Sequence, residues 1–394
     1  MSAFRGGLPF TLRLEPRMEA SRWLSPALTA AALVVALVIS GAILAIVGAD
    51  PVRVYLHIVG SSLGSIGAIS DTLVKSTPLI LTGLACALAF RMRLWNIGAE
   101  GQLLLGAWAA SAVVLVPLVP AGTPGVIILA VMLVAGFLGG AAWGLIPGVL
   151  RSRFGVNEII ATLMLNSIAF AWIQYWVFGP WTEGGFQMTE QFPPEAWLPR
   201  LSDLADAIPA LRGITVHAGF LVALAAAFVV WLIVERSAWG YEIRLIGDNP
   251  RAAKYAGIGI ARNILLVFAV SGGLAGIAGM AEVSGVVHRL QDNFSPGYGY
   301  TAIIIAYLAR FHPLRVVPVA ILFGALILAG REIQPSGVPG MIQGIILFCL
   351  IASEVFLRFR VGVVRRPPVP PAAAVGAASP ATSPAAGPVT GEGA

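Results

Sequence analysis

Between Phe90 and Gly106 the chain reads Phe-Arg-Met-Arg-Leu-Trp-Asn-Ile-Gly-Ala-Glu-Gly-Gln-Leu-Leu-Leu-Gly. One carboxylate (Glu100), two amides (Asn96, Gln102) and three glycines (Gly98, Gly101, Gly106) sit here between strongly apolar segments. These side chains can hydrogen-bond a polar solute, and glycines let backbones approach closely or let a helix break. Polar groups at membrane depth are costly unless they face a protein interior or a watery cavity. Two readings follow: the stretch lines a route through a helix bundle, or it is a short cytosolic turn with Glu100 at a helix N-terminus. Asn166, Gln174 and Glu282 are further polar residues placed inside apolar runs with a role open to them. Asn166 can bond a solute or a neighbouring helix, and Glu282 has no evident partner nearby in sequence.

The elements that would hold these residues are apolar. Of 394 residues, 58% are hydrophobic and 11% charged, against about 25% charged in soluble domains. Mean hydropathy is +0.86. Lipid is therefore the main solvent. Ten apolar runs recur, at about 27–48, 77–92, 100–119, 125–150, 156–179, 217–236, 263–287, 298–311, 316–331 and 339–357. The first is too long for a signal peptide and is read as a retained helix. The run at 125–150 carries Gly136, Gly140 and Gly144 in small-xxx-small spacing, which suits close helix packing in lipid. With the N-terminus inside, 19 of the 25 Lys and Arg fall on the inner side and six, Lys75 among them, outside. That bias supports ten crossings with both termini cytoplasmic.

The net charge of +6 tracks span flanks and does not point to nucleic acid. Cys86 and Cys349 lie inside apolar runs as packing residues, and the four histidines show no metal-ligand spacing. The chain divides into a polar N-terminal segment (1–26), a membrane domain (27–359) and a Pro/Ala-rich tail (360–394) expected to be disordered. Within the membrane domain, Asp50–Lys75 reads as an external amphipathic or partly re-entrant segment. The loop 180–216 falls outside, and its tryptophans could form a lid, dock a partner or anchor at the interface. The loop 237–262 falls inside. In it Asn249 can cap a short helix with Pro250 at its first position, ended by Gly257.

Three motifs in order now carry a resemblance. They are Leu81–Phe90 leading into Asn96-Ile-Gly-Ala-Glu-Gly-Gln102, then Val156-Asn-Glu-Ile-Ile-Ala-Thr-Leu-Met-Leu-Asn166, then Gly247-Asp-Asn-Pro-Arg-Ala-Ala-Lys-Tyr-Ala-Gly257. From about Leu24 to Phe359 the chain resembles the permease subunits of ABC importers for nucleosides and simple sugars, within the branched-chain amino acid and ribose permease superfamily. The resemblance implies an all-α, type II importer-like membrane fold and a path enclosed by two permeases, identical or homologous. Two cytosolic ATPases would dock through Gly247, Asp248, Asn249, Pro250, Arg251, Ala252 and Ala253, and an external binding lipoprotein would deliver the solute. ATP and magnesium would belong to the ATPase partners, with no cofactor or metal on this chain and the bacterial cell membrane as its location. Asn96, Gly98, Glu100, Gly101, Gln102, Asn166 and Glu282 are the residues assigned to the path or its gate. The sequence holds no Gly-x-x-x-x-Gly-Lys-Ser/Thr phosphate loop, so hydrolysis would fall to the partners. A proton-coupled carrier using Glu100 or Glu282 is the second reading. An intramembrane enzyme is the third, and it lacks matched catalytic partners.

Overall fold

The computed structural model describes residues 10–16, 24–116, 118–120, 122–330 and 337–365. Among the described residues thirteen α-helices follow one another. They are α1 (Leu24–Ile46), α2 (Pro51–Leu63), α3 (Ile66–Arg91), α4 (Ala99–Leu115), α5 (Gly125–Phe154), α6 (Glu158–Phe178) and α7 (Ala218–Arg236). Then come α8 (Ala238–Asp248), α9 (Pro250–Tyr255), α10 (Ile260–Glu282), α11 (Tyr298–Leu308), α12 (Pro313–Ala329) and α13 (Val338–Arg358). Among the described residues, six helices are long and apolar enough to cross a membrane: α1, α3, α5, α6, α7, and α10 extended to Val287. Four more apolar helices, at the places of α4, α11, α12 and α13, are shorter.

Local chemistry sets the boundaries. Asp50 caps α2, accepting from the Val52 amide at 2.9 Å, with Pro51 in the first turn. Ser65 caps α3 through the Ala68 amide at 3.0 Å. α5 carries Arg151 and Arg153 in its last turn and ends at Gly155, whose φ of +66° closes the helix in the left-handed conformation.

The middle of the bundle is α3, buried almost continuously from Ser70 to Phe90, together with α10 and the inner face of α4. α5 and α4 pack on α10, α11 and α12 pack on α3, and α1 lies on α13. The α4/α5/α10 contact is built of glycine. A methyl group on Gly276 would collide with the Gly136 carbonyl oxygen, and one on Gly106 with the Gly276 backbone. Apolar side chains such as Val38 of α1, Ile160 of α6 and Leu221 of α7 are exposed on the outside of the bundle, as lipid contact requires.

Three expectations change. α3 begins at Ile66, so Lys75 lies inside a helix rather than in an external segment, because an ion-pair partner satisfies it there. The inner loop holds α8 ahead of α9, started by Ser237, whose hydroxyl accepts from the Gly240 amide at 3.0 Å. Phe10–Pro16 (β1) pairs antiparallel with Phe359–Arg365 (β2), so 360–365 is strand rather than the start of a structureless tail. Apolar and polar residues alternate through most of both segments, which suits a strand. The remainder of that tail, 366–394, lies outside the described residues.

Candidate functional site

The link between α3 and α4 folds back into the bundle. Met92 and Leu94 are buried, Leu94 N donates to the Ala89 carbonyl at 3.1 Å, and Asn96 is fully enclosed. Asn96 Nδ2 donates to Gln102 Oε1 and to Ser271 Oγ, both at 2.9 Å. Its Oδ1 accepts from Gln102 Nε2 at 3.1 Å and from the Gly98 amide at 3.0 Å. Ser271 Oγ in turn donates to the Ala85 carbonyl at 2.8 Å, tying α3, α4 and α10 together. Ser271 lies at the middle of α10. The Asn96–Gln102 knot therefore joins the middle of α10 to α3 and α4, inside the bundle rather than in a surface turn, the second of the two sequence readings.

Glu100 lies in the first turn of α4, fully buried. Its Oε2 accepts from the Gly299 amide, in the first turn of α11, at 2.6 Å. A methyl group on Gly299 would collide with the Glu100 backbone, so two helix N-termini touch here. The partial positive charge of both favours a carboxylate between them. Half-helices meeting within a membrane are a common way to build a transport site. Glu100 Oε1 is buried with no hydrogen-bond partner. Asn166 on α6 closes the same junction: its Oδ1 accepts from the Gly101 amide at 2.9 Å, and its Nδ2 donates to the Ile97 carbonyl at 2.9 Å and Tyr300 Oη at 3.2 Å. Glu158 starts α6, and Asn157 caps it by accepting from the Ile159 amide at 2.9 Å.

Glu282 stands apart from that junction. Lys75 Nζ donates to its Oε1 at 2.8 Å and to Tyr298 Oη at 3.1 Å, and Tyr298 Oη donates to Glu282 Oε1 at 3.2 Å. Glu282 Oε2 is buried without a partner. α10 continues past Glu282 as a π-helical turn, Val283–Val287, a feature frequent at functional sites. The 180–216 loop clasps this turn. Leu198 N donates to the Ser284 carbonyl at 3.2 Å, Ser284 Oγ donates to the Ala196 carbonyl, and Trp197 stacks on His288 at 4.1 Å. Arg200 Nη2 lies 2.8 Å from His288 Nε2, while His288 Nδ1 faces the Ser284 carbonyl at 2.9 Å. Burial and the Arg200 charge lower the His288 pKa, keeping the ring neutral to accept from Arg200. Lys75, Ser271, Tyr298 and Gly299 were missed from sequence. For Lys75 the signal was the Ser65 cap, which extends the helix outward across it.

At the other end, α9 is short and exposed. Asn249 Oδ1 accepts from the Arg251 and Ala252 amides, each at 3.1 Å, and only Ala253 of this helix is buried. Tyr255 is 94% exposed. Gly247 at the end of α8 lies against the Arg91 carbonyl, where a larger residue would collide. Arg91 and Arg244 both pair with Glu235, at 3.7 and 3.8 Å. The exposed helix is thus packed, through α8, onto the link that carries Asn96.

Residues 68–351 match the family described as branched-chain amino acid transport system / permease component. The chain belongs to this permease family. Relatives of the permease include the glucose ABC transporter permease protein TsgB13 of Haloferax volcanii, 37% identical over 93% of this chain and 98% of that one. The guanosine ABC transporter permease protein NupP of Bacillus subtilis is 33% identical over 85% of this chain and 95% of its own. The nucleoside ABC transporter permease protein NupB of Lactococcus lactis is 28% identical over 81% and 88%. No solved structure matches the permease.

Proposed function

We propose that the permease is the translocation subunit of an ATP-driven importer that carries a nucleoside, with a simple sugar as the next candidate, across a bacterial cell membrane. The relatives named for guanosine, nucleosides and glucose support this choice of solute. Ten helices would cross the membrane with both termini cytoplasmic, as the distribution of basic residues favours. A second permease, the same chain or a homologue, would complete the path. An external binding protein would supply solute, and two ATPases would grip α9. The permease itself would perform no chemistry.

The observation that carries the reading is the continuity between the exposed helix and the buried junction. α9 is joined to α8, Gly247 of α8 abuts Arg91, and five residues later Asn96 anchors the start of α4. A rigid displacement of α9 would be passed to the α4/α11 contact, where Glu100 and Asn166 hold two half-helices together. Asn96, Gln102 and Gly98 form the hinge of that movement, and Glu100, Gly101 and Asn166 form the gate.

The test is to replace Asp248–Ala253 by a flexible linker of equal length. Co-purification of the ATPase subunits should be lost, and ATP-dependent uptake should fall at least about tenfold, corresponding to about 1.4 kcal/mol of lost coupling. Unchanged association with unchanged uptake would overturn the proposal. Uptake that persists without ATP but collapses with an uncoupler would favour a proton-coupled carrier.

A further inference from the structure

We propose that Lys75, Glu282 and Tyr298 form the subsite that grips a vicinal pair of hydroxyl groups on the sugar ring of the solute. This rests on the nucleoside-or-sugar reading above. It goes beyond it by naming the part of the solute that is read and the residues that read it.

Glu282 Oε2 is the atom of this set that is buried without a hydrogen-bond partner. Lys75 and Glu282 are 5% and 1% exposed, inside the bundle, and come from helices 207 residues apart in sequence. A buried ion pair is seldom the most stable way to join two helices, since apolar residues of like size hold as well or better. Glu282 spends both its bonds on Oε1, leaving Oε2 as an open acceptor. An ammonium has three N–H donors, and two of those on Lys75 are directed at Glu282 and Tyr298. The set thus offers a carboxylate oxygen that needs a donor next to a cation with donor capacity. A hydroxyl group both donates and accepts, and two on adjacent carbons match a carboxylate oxygen and an ammonium side by side. The ion pair is neutral as a whole, so an ionic solute of one sign would leave an unbalanced charge in a dry place. A neutral polyol would not.

Position fits the same role. Tyr298 is the residue before Gly299, so the subsite and the Glu100 junction share the first turn of α11. Solute that displaces Tyr298 Oη from Glu282 moves the helix end that Glu100 holds. The subsite is closed in this structure. Ala196–Leu198 of the 180–216 loop is pinned to Ser284, two residues beyond Glu282, so release of that clasp is the entry step.

The experiment uses membrane vesicles carrying the whole transporter, with permease, ATPases and binding protein. Uptake of guanosine is compared with that of 2′,3′-dideoxyguanosine, and glucose with 2-deoxyglucose, in the unaltered permease and in Glu282→Gln. The binding protein is the same in both, so its own preference cancels in the ratio of ratios. The expected result is that Glu282→Gln lowers the preference for the fully hydroxylated solute roughly tenfold, as loss of a charged hydrogen-bond acceptor does. If Glu282→Gln leaves no uptake to measure, Tyr298→Phe, which keeps the ion pair, is read in the same way and should lower the preference severalfold. The exchanged pair Lys75→Glu/Glu282→Lys should still assemble with the ATPases while uptake stays low, because it restores the bridge but not the arrangement of donors and acceptors. Normal uptake with an unchanged ratio, or uptake restored by the exchanged pair, would overturn this inference alone. Uptake of neither probe, or uptake of leucine in their place, would overturn the reading of the solute and this inference with it.

Discussion

Two polar sites are buried in the same apolar bundle, and they are built on opposite principles. The knot around Asn96 is made of neutral groups that satisfy one another: both atoms of the Asn96 amide are used, and Gln102 and Ser271 close the circuit. The set around Glu282 is ionic and leaves one carboxylate oxygen open. A closed neutral network fixes a geometry, since every member already has its partner. An open ionic one is expensive as architecture and useful for exchange. Glu100 lies between the two kinds, a carboxylate committed to the start of α11 through the Gly299 amide. On the proposed reading the contrast divides labour: the knot would pass movement from the α9 end, the junction would gate, and the ion pair would meet the solute.

The largest effect expected from breaking this contrast comes at the ion pair. Glu282→Ala leaves Lys75 buried without its counter-ion, which should cost about 3–5 kcal/mol, read as a fall in the thermal unfolding midpoint of the purified complex. The double change Lys75→Met/Glu282→Leu should recover most of that stability while uptake remains lost. Recovery of uptake along with stability would erase the distinction between the sites. At the knot the effect should be of the other kind. Asn96→Ala strands Gln102 and the Gly98 amide, at about 1–3 kcal/mol for each buried group left unsatisfied. Ser271→Ala removes a single hydroxyl and should cost about 1 kcal/mol. Both should weaken the coupling of ATP hydrolysis to uptake without altering solute preference, as measured by the ratio of ATP consumed to solute moved. A changed preference in either variant would move recognition to the knot.

What the sequence made legible follows the range of the interaction. The α9 hook was readable from Asn249, Pro250 and Gly257, because capping acts within a few residues. Among the described residues each apolar run falls on a helix, six of them long and apolar enough to cross a membrane, because apolar surroundings are written as composition, and the glycine spacing of α5 suited its close contact with α10. Glu100, Asn96, Gln102, Asn166 and Glu282 were recognisable as unusual residues for their surroundings. Their partners were not, since Gly299 is 199 residues from Glu100 and Lys75 207 from Glu282. Sequence left two readings of the Asn96 stretch open because a link that climbs back into the bundle has the same composition as one that stays at the surface. α8 was missed because its start depends on one hydroxyl, that of Ser237, directly after α7.

The account rests on the α4/α11 junction changing with the motor's state, and thiol labelling tests that most directly. Ser295, whose hydroxyl accepts from the Gly297 and Tyr298 amides at the start of α11, is replaced by cysteine in a permease whose Cys86 and Cys349 are alanine. A membrane-impermeant maleimide is applied to the assembled transporter without nucleotide and with ATP trapped on its ATPases. The account predicts labelling rates that differ between the two states by about tenfold or more, a population shift of about 1.4 kcal/mol. Equal rates in both states would contradict it.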